Sequence, residues 1–457
     1  MKKKLFFILI YFYSFCFSQT FETVALIHNG NNDQRINIAI LGDGFTSSEQ
    51  DSFISSAQST LDYLFTKSPY AEYRNYFNAY AIKVISGGSG VKHPGTASDV
   101  AEPVIPISNP NNYLGTSFDF GVHRCIYSNS TNRVAQVLAA NVPDYDITYI
   151  LGNSKEYGGC GGTYAFASLN ASSDEIVVHE LGHSFGKLAD EYWFSGTGES
   201  PNKTKTSSPT SIRWRNWLNT DNIGIYPYAE SPTWFRPHQN CEMRYLNRQF
   251  CSVCKEAIIE RIHSLISPVD SFTPANDTVL EGYSDITFTV NEVLPIPNTL
   301  VNTWVLNGNV LEAKENTITI TPQELNAGDN ILAFSVNDNT PLVRVNNHSA
   351  VHFTNVAWTL VKNERITTKV NVKERRFVIY PNPVNNELYI EGKEDFSNNI
   401  NVTLYDAVGR LIPIKFELKD TRKIQIGLKT LPAGVYTLNL LEDSGVIISH
   451  KIIKEND

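Results

Sequence analysis

The chain has 457 residues, 42% of them hydrophobic, with 24 Phe and 22 Tyr and a formal net charge of -9. That length predicts roughly two to four domains, and the apolar content excludes an intrinsically disordered chain. The acidic balance argues against nucleic acid and anionic membrane surfaces as partners.

At the N-terminus, Lys2, Lys3 and Lys4 precede an apolar run that begins at Leu5 and gives way to Ser18 and Gln19. The pattern predicts a secretory signal peptide over residues 1–18. Its apolar run is about a dozen residues, short of the roughly 20 that cross a bilayer. No other stretch is long and apolar enough to span. Cys16 does not fit a lipid anchor, because bulky Phe15 stands where a small residue is expected.

A buried strand is predicted from Ile36 to Leu41, followed by a glycine turn in which Asp43 reads as a turn residue rather than a catalyst. Thr46 or Ser47 can cap a helix running to about Phe65, since Phe53, Ala57, Leu61 and Leu64 recur near helical spacing. "YFNAYAIKVIS" and "YDITYILGNS" predict two more strands, and the glycine-rich "YGGCGGTYAFA" follows. A second helix starts at Ser172, with Glu175 at capping-box spacing and Ile176, Val177 and Val178 facing a core. "KEAIIERIHSLI" predicts a helix closing this region near residue 268.

The second helix carries "HELGH", His179-Glu180-x-x-His183. Residues four apart share a helix face, so both imidazoles can grip one metal ion. Imidazole nitrogen suits Zn²⁺, whose catalytic sites use three protein ligands and keep one position for water. Glu180 can take a proton from that water as general base. Gly186 can end the helix and turn the chain back toward the metal. Among the residues that follow, the third ligand is expected to be Asp190, with Glu191 or the distant His238 as alternatives. The carboxylate not used would serve as a hydrogen-bond partner to a ligand histidine.

Cys125, Cys160, Cys241, Cys251 and Cys254 follow the predicted cleavage point. In an exported chain one or two disulfides are expected, with Cys241 tied to Cys251 or Cys254. Cys251-x-x-Cys254 alone lacks a second C-x-x-C to close a zinc ribbon.

The H-E-x-x-H-x-x-G run resembles the long zinc motif of the metzincin peptidases, offset by one residue at the third ligand. Met243 is the sole methionine besides the initiator. It stands where metzincins place a methionine turn beneath the metal, and Tyr245 completes an M-x-Y that implies a phenol able to stabilise the oxyanion. A lone buried methionine and a structural tyrosine are the plainer readings. "LGDGFTSSEQDSF", "YFNAYAIKV", "YGGCGG", "HELGHSFGKLADEY" and "CEMR…FCSVC" together resemble the M64 peptidases, the IgA-peptidase family, over about residues 22 to 268. The resemblance implies an α/β metzincin-like catalytic domain. It also implies that "YILGNSKEYGGCGG" is the edge strand of the substrate cleft, which can pair with an extended peptide.

From Ser267 onward, short alternating runs separated by Asn, Gly and Pro predict an all-β sandwich of immunoglobulin type over 269–362. Residues 363–376 read as a linker. "YPNPVNNELYI", "LYDAVGR", "LPAGVYTLNL" and "HKIIK" resemble the sorting domain of the type IX secretion system over 377–457, with adhesion as the plainer alternative. The expected protein is therefore a secreted or cell-surface zinc endopeptidase, catalytic over 19–268. Its partners would be a protein or peptide substrate and the secretion machinery. The rival is a non-catalytic binding protein on a peptidase scaffold, against which the intact Glu180 argues.

Overall fold

Strand Ile36–Asp43 is buried at every position, as a continuous apolar run requires and an alternating one would not. It lies in a computed structural model that describes residues 20–194, 196–313, 316–362, 377–396, 400–407, 409–441 and 447–455. The expected signal peptide and linker fall outside the described residues. The chain forms two compact units. One holds the segment ending at His28 with Asn37–Tyr63 and Asn78–Ser184; the other holds Asn29–Ile36, Leu64–Phe77 and the chain from Phe185 onward.

The first unit is built on a six-stranded mixed sheet. Its strands are β1 (Thr23–Ile27), β2 (Ile36–Asp43), β3 (Phe77–Ile82), β4 (Ile147–Gly152), β5 (Gly159–Cys160) and β6 (Ala165–Ala167), in the order β1-β3-β2-β4-β6-β5. β2, β4 and β6 run parallel, whereas β5 returns antiparallel to β6 at the edge. Of the stretch expected to form the cleft edge, only Gly159–Cys160 lies in an edge strand. "YILG", read as part of the edge strand, is the inner strand β4.

Helix α1 (Gln50–Leu64) begins after a 3₁₀ turn in which the Glu49 carboxylate accepts from the Thr46 backbone N–H at 2.8 Å. Phe53, Ala57, Leu61 and Leu64, the face expected from spacing, are buried. Helix α2 (Thr131–Asn141) has no counterpart in the sequence reading; its buried Val134, Val137 and Leu138 join a core with Leu41, Ile82 and Ile150. Helix α3 (Ser173–Ser184) packs on β5 and β6.

Asp43 does more than turn the chain. Its buried carboxylate accepts from the Leu114 and Thr116 backbone N–H groups at 2.7 and 2.9 Å and from the Thr116 hydroxyl at 2.6 Å. It thereby fastens the long loop between β3 and α2 to the end of β2.

In the second unit, helix α4 (Ser252–Leu265) is followed by two sheets that share one core. A three-stranded sheet (Val269–Thr273, Ile286–Glu292, Thr317–Ile320) faces a five-stranded one whose longest strands are Leu300–Leu306, Gly328–Asp338 and Thr354–Lys362. Trp304 and Trp358 stack between them with ring centroids 5.8 Å apart. Gly328–Asp338 alternates buried and half-buried residues, the period-2 signature of a one-sided strand. Residues 377–455 form two further four-stranded sheets around Leu388, Ile390, Leu404, Ile426 and Leu438. No helix among the described residues is long and apolar enough to cross a membrane.

Candidate active site

α3 presents His179 and His183 on one face, their rings 4.9 Å apart and nearly perpendicular. The ligand atoms of His179, His183 and Asp190, all from one short stretch of chain, lie within 4.8 Å of one another. His179 is 8% exposed, while His183, Glu180 and Asp190 are half-buried. Two imidazoles and a carboxylate that keep some access to solvent are a donor set that could hold a metal ion.

Glycines of β5 and the residues after it set how closely the sheet edge approaches α3. A Cβ on Gly159 would stand 2.2 Å from Ile176 Cγ2, and a Cβ on Gly161 would stand 2.3 Å from Glu180 Oε2. This rim is fixed by a disulfide between Cys125 and Cys160, and by the Gly159 N–H donating to the Arg124 carbonyl at 3.0 Å. The disulfide expected at Cys241 does not form; Cys241, Cys251 and Cys254 are free thiols.

The chain leaves α3 differently from the expectation. The residue with left-handed backbone is Lys187, at φ 54°, not Gly186. Beyond it, the buried Asn202 side chain clamps Ala189 like a strand partner, its Oδ1 accepting from the Ala189 N–H at 2.7 Å and its amide donating to the Ala189 carbonyl at 2.8 Å. Asp190 is oriented by two further contacts. The Trp193 indole donates to its Oδ2 at 3.1 Å, and the Tyr228 hydroxyl donates to its carbonyl at 2.7 Å. Asn202 and Tyr228 lie too far along the chain for spacing to have found them.

Glu191 turns the other way. It is fully buried, its Oε1 accepting from Asn202 at 3.0 Å and lying 3.5 Å from Cys254 Sγ. Burial, with Cys241 nearby, pushes its carboxyl well above the usual range. Its backbone N–H donates to the Met243 carbonyl at 2.7 Å. Met243 is itself fully buried in a tight turn, with the Arg244 and Tyr245 N–H groups both donating to the Cys241 carbonyl. Tyr245 is 49% exposed, its ring against the Arg244 guanidinium. His238 accepts from the Asn240 N–H at 3.0 Å and belongs to no metal-capable group among the described residues.

A helix-borne histidine pair with a glutamate between them is an arrangement able to hold a metal ion beside a base. Residues 24–222 match the family described as IgA Peptidase M64, and residues 378–455 match the secretion system C-terminal sorting domain. The M64 resemblance read from the sequence is thus matched over residues 24–222, and the resemblance to the type IX sorting domain over residues 378–455. The M64 match stops before Met243 and Tyr245.

A comparison with curated proteins gives no match. Among solved structures, the chain is similar to the SGBP-B protein of a Bacteroides ovatus mixed-linkage glucan utilization locus. Identity is 12% over 40% of this chain and 43% of that one, with a TM-score of 0.16. It is also similar to CopC from Methylosinus trichosporium (15%, covering 18% and 93%, TM-score 0.15) and to the Ig1-2 module of a Drosophila receptor protein tyrosine phosphatase (13%, covering 41% and 98%, TM-score 0.16). Scores this low bear on neither fold nor function.

Proposed function

We propose that the protein is a secreted zinc endopeptidase with a metzincin-like catalytic domain over 19–268, a β-sandwich over 269–362, a linker over 363–376 and a sorting domain over 377–457. The observation that supports it best is the His179, His183 and Asp190 group on and just beyond a helix that also carries Glu180. Those three residues would hold the metal. Zinc, when bound, supplies Lewis acidity toward a substrate carbonyl and acidifies water. Glu180 takes the proton of the attacking water and returns it to the leaving amine nitrogen. The antiparallel rim at Gly159–Cys160 offers edge backbone groups to an extended substrate, aligning it over Glu180. Tyr245 is assigned to the oxyanion, and Tyr245→Phe should lower kcat with little change in KM.

The test is cleavage of a broad peptide library by the purified full chain, alongside its Glu180→Ala variant and a sample stripped with chelator. Cutting at internal bonds that is lost in both controls and restored by zinc is the expected result. Zinc-loaded wild type that cuts nothing in the library would favour the binding-scaffold reading instead.

A further inference from the structure

Cys241, Cys251, Cys254 and Glu191 bring four ligand atoms within 4.8 Å of one another, and all four residues are buried. Cys254 Sγ lies 3.7 Å from Cys241 Sγ, 3.6 Å from Cys251 Sγ and 3.5 Å from Glu191 Oε1. A tetrahedral zinc with bonds of about 2.3 Å to sulfur and about 2.0 Å to oxygen sets sulfur–sulfur edges of about 3.8 Å and sulfur–oxygen edges of about 3.5 Å. The three measured edges match that figure. A disulfide would need two sulfurs in bonding contact at about 2.05 Å and would strand the third thiol.

We propose that Cys241, Cys251, Cys254 and Glu191 bind a second, structural zinc ion, separate from the His179–His183 site.

Independent features favour a cation here. Glu191 Oε2 is buried and has no hydrogen-bond partner, an expensive state for a carboxylate oxygen. Cys251 is the N-cap of α4 and Cys254 lies in its first turn, where the helix dipole favours thiolates. The Cys251 N–H points at Cys241 Sγ from 3.3 Å, and Asn202 donates to Glu191. Such donors are the outer contacts that thiolate and carboxylate ligands need. Binding converts three thiols to thiolates and the Glu191 carboxyl to a carboxylate, releasing their protons; together they bring four negative charges to one dication. The donors just named and the nearby Arg236 offset part of the remainder.

The site also has a purpose in the fold. It ties the segment after Asp190 to the turn at Met243 and to the start of α4; the Glu191–Met243 hydrogen bond joins the first two of these. Fixing Glu191 fixes its neighbour Asp190. A sulfur-rich, closed donor set of four protein ligands is the structural kind of zinc site.

The test uses the full chain carrying His179→Ala and His183→Ala, reconstituted with cobalt(II). The expected result is one tightly held ion with a strong ultraviolet thiolate-to-cobalt charge-transfer band, lost in the further variants Glu191→Ala and Cys254→Ser. In the zinc-loaded wild type, all three thiols should resist alkylation until chelator and denaturant are added together. Peptide mapping covers variants that fail to fold. A disulfide joining any two of Cys241, Cys251 and Cys254 in the secreted protein would overturn the proposal. So would free, alkylatable thiols in folded protein with no thiolate-to-cobalt band.

Discussion

Asp190 and Glu191 are adjacent, yet one carboxylate is half-buried beside two histidines and the other is sealed among three sulfurs. The two surroundings differ in the properties that separate metals used for chemistry from metals used for folding. Nitrogen and oxygen donors with an open side leave room for water and substrate. Sulfur donors with every side filled leave none. One step along the chain, in a segment held by Asn202 at Ala189, separates the surroundings of the two carboxylates.

The sharpest way to break this contrast is to exchange the fates of the two carboxylates. Asp190→Ala should lower kcat/KM by more than about 100-fold and release the histidine-bound metal, with the denaturation midpoint little changed. Glu191→Ala should instead cost about 3 kcal/mol or more of stability, read from urea unfolding. Equal effects of the two on both readouts would erase the distinction.

Gly161→Ala probes the open site from its rim. The added Cβ would stand 2.3 Å from Glu180 Oε2, at the end of a flexible side chain, so the carboxylate rather than the backbone must move. A fall of about 10- to 100-fold in kcat with an unchanged melting temperature is expected, since small misplacements of a catalytic group are costly. Trp193→Phe removes the indole that orients Asp190 Oδ2 and should weaken zinc affinity at the histidine site by about tenfold, measured by competition with a chelator.

The smallest effect concerns a third carboxylate, Glu260 on α4. Burial raises its pKa, but hydrogen bonds from His348 and His352 outweigh burial and bring it from 4.5 to about 2. Because the folded value is depressed, its stabilisation is present above about pH 4.5 and is lost as pH falls toward about 2. Its exposure and its sharing with two histidines reduce the contribution to about 1 kcal/mol. Glu260→Gln should flatten the acid limb of a stability–pH curve in that window; an unchanged limb would remove the pair from the account. Glu191, raised where Glu260 is lowered, is the contrasting case.

Much of this was legible in sequence because it is local. Helical spacing gave the buried face of α1, the i, i+4 rule put His179 and His183 together, and alternation gave the two-sheet region. What escaped depends on distant contacts. Lys187 makes the left-handed turn expected of Gly186. Asn202 and Tyr228 hold the segment around Asp190 from far along the chain, and no periodicity points to them. Cysteine counting expected Cys241 in a disulfide, but the bond joins Cys125 to Cys160 and leaves three thiols around a carboxylate. The sequence shows one C-x-x-C and no fourth ligand of the usual kind. Glu191 could be recognised only once Met243 and Cys241 were folded against it.

The proposed chemistry rests on the α3 histidines and Glu180 forming a catalytic zinc centre. The most direct measurement is peptide cleavage by wild type and Glu180→Gln, with zinc counted in the same samples. Equal zinc in both and a rate lower by about 100-fold or more in the variant are expected. Equal cleavage rates at equal zinc content would contradict it.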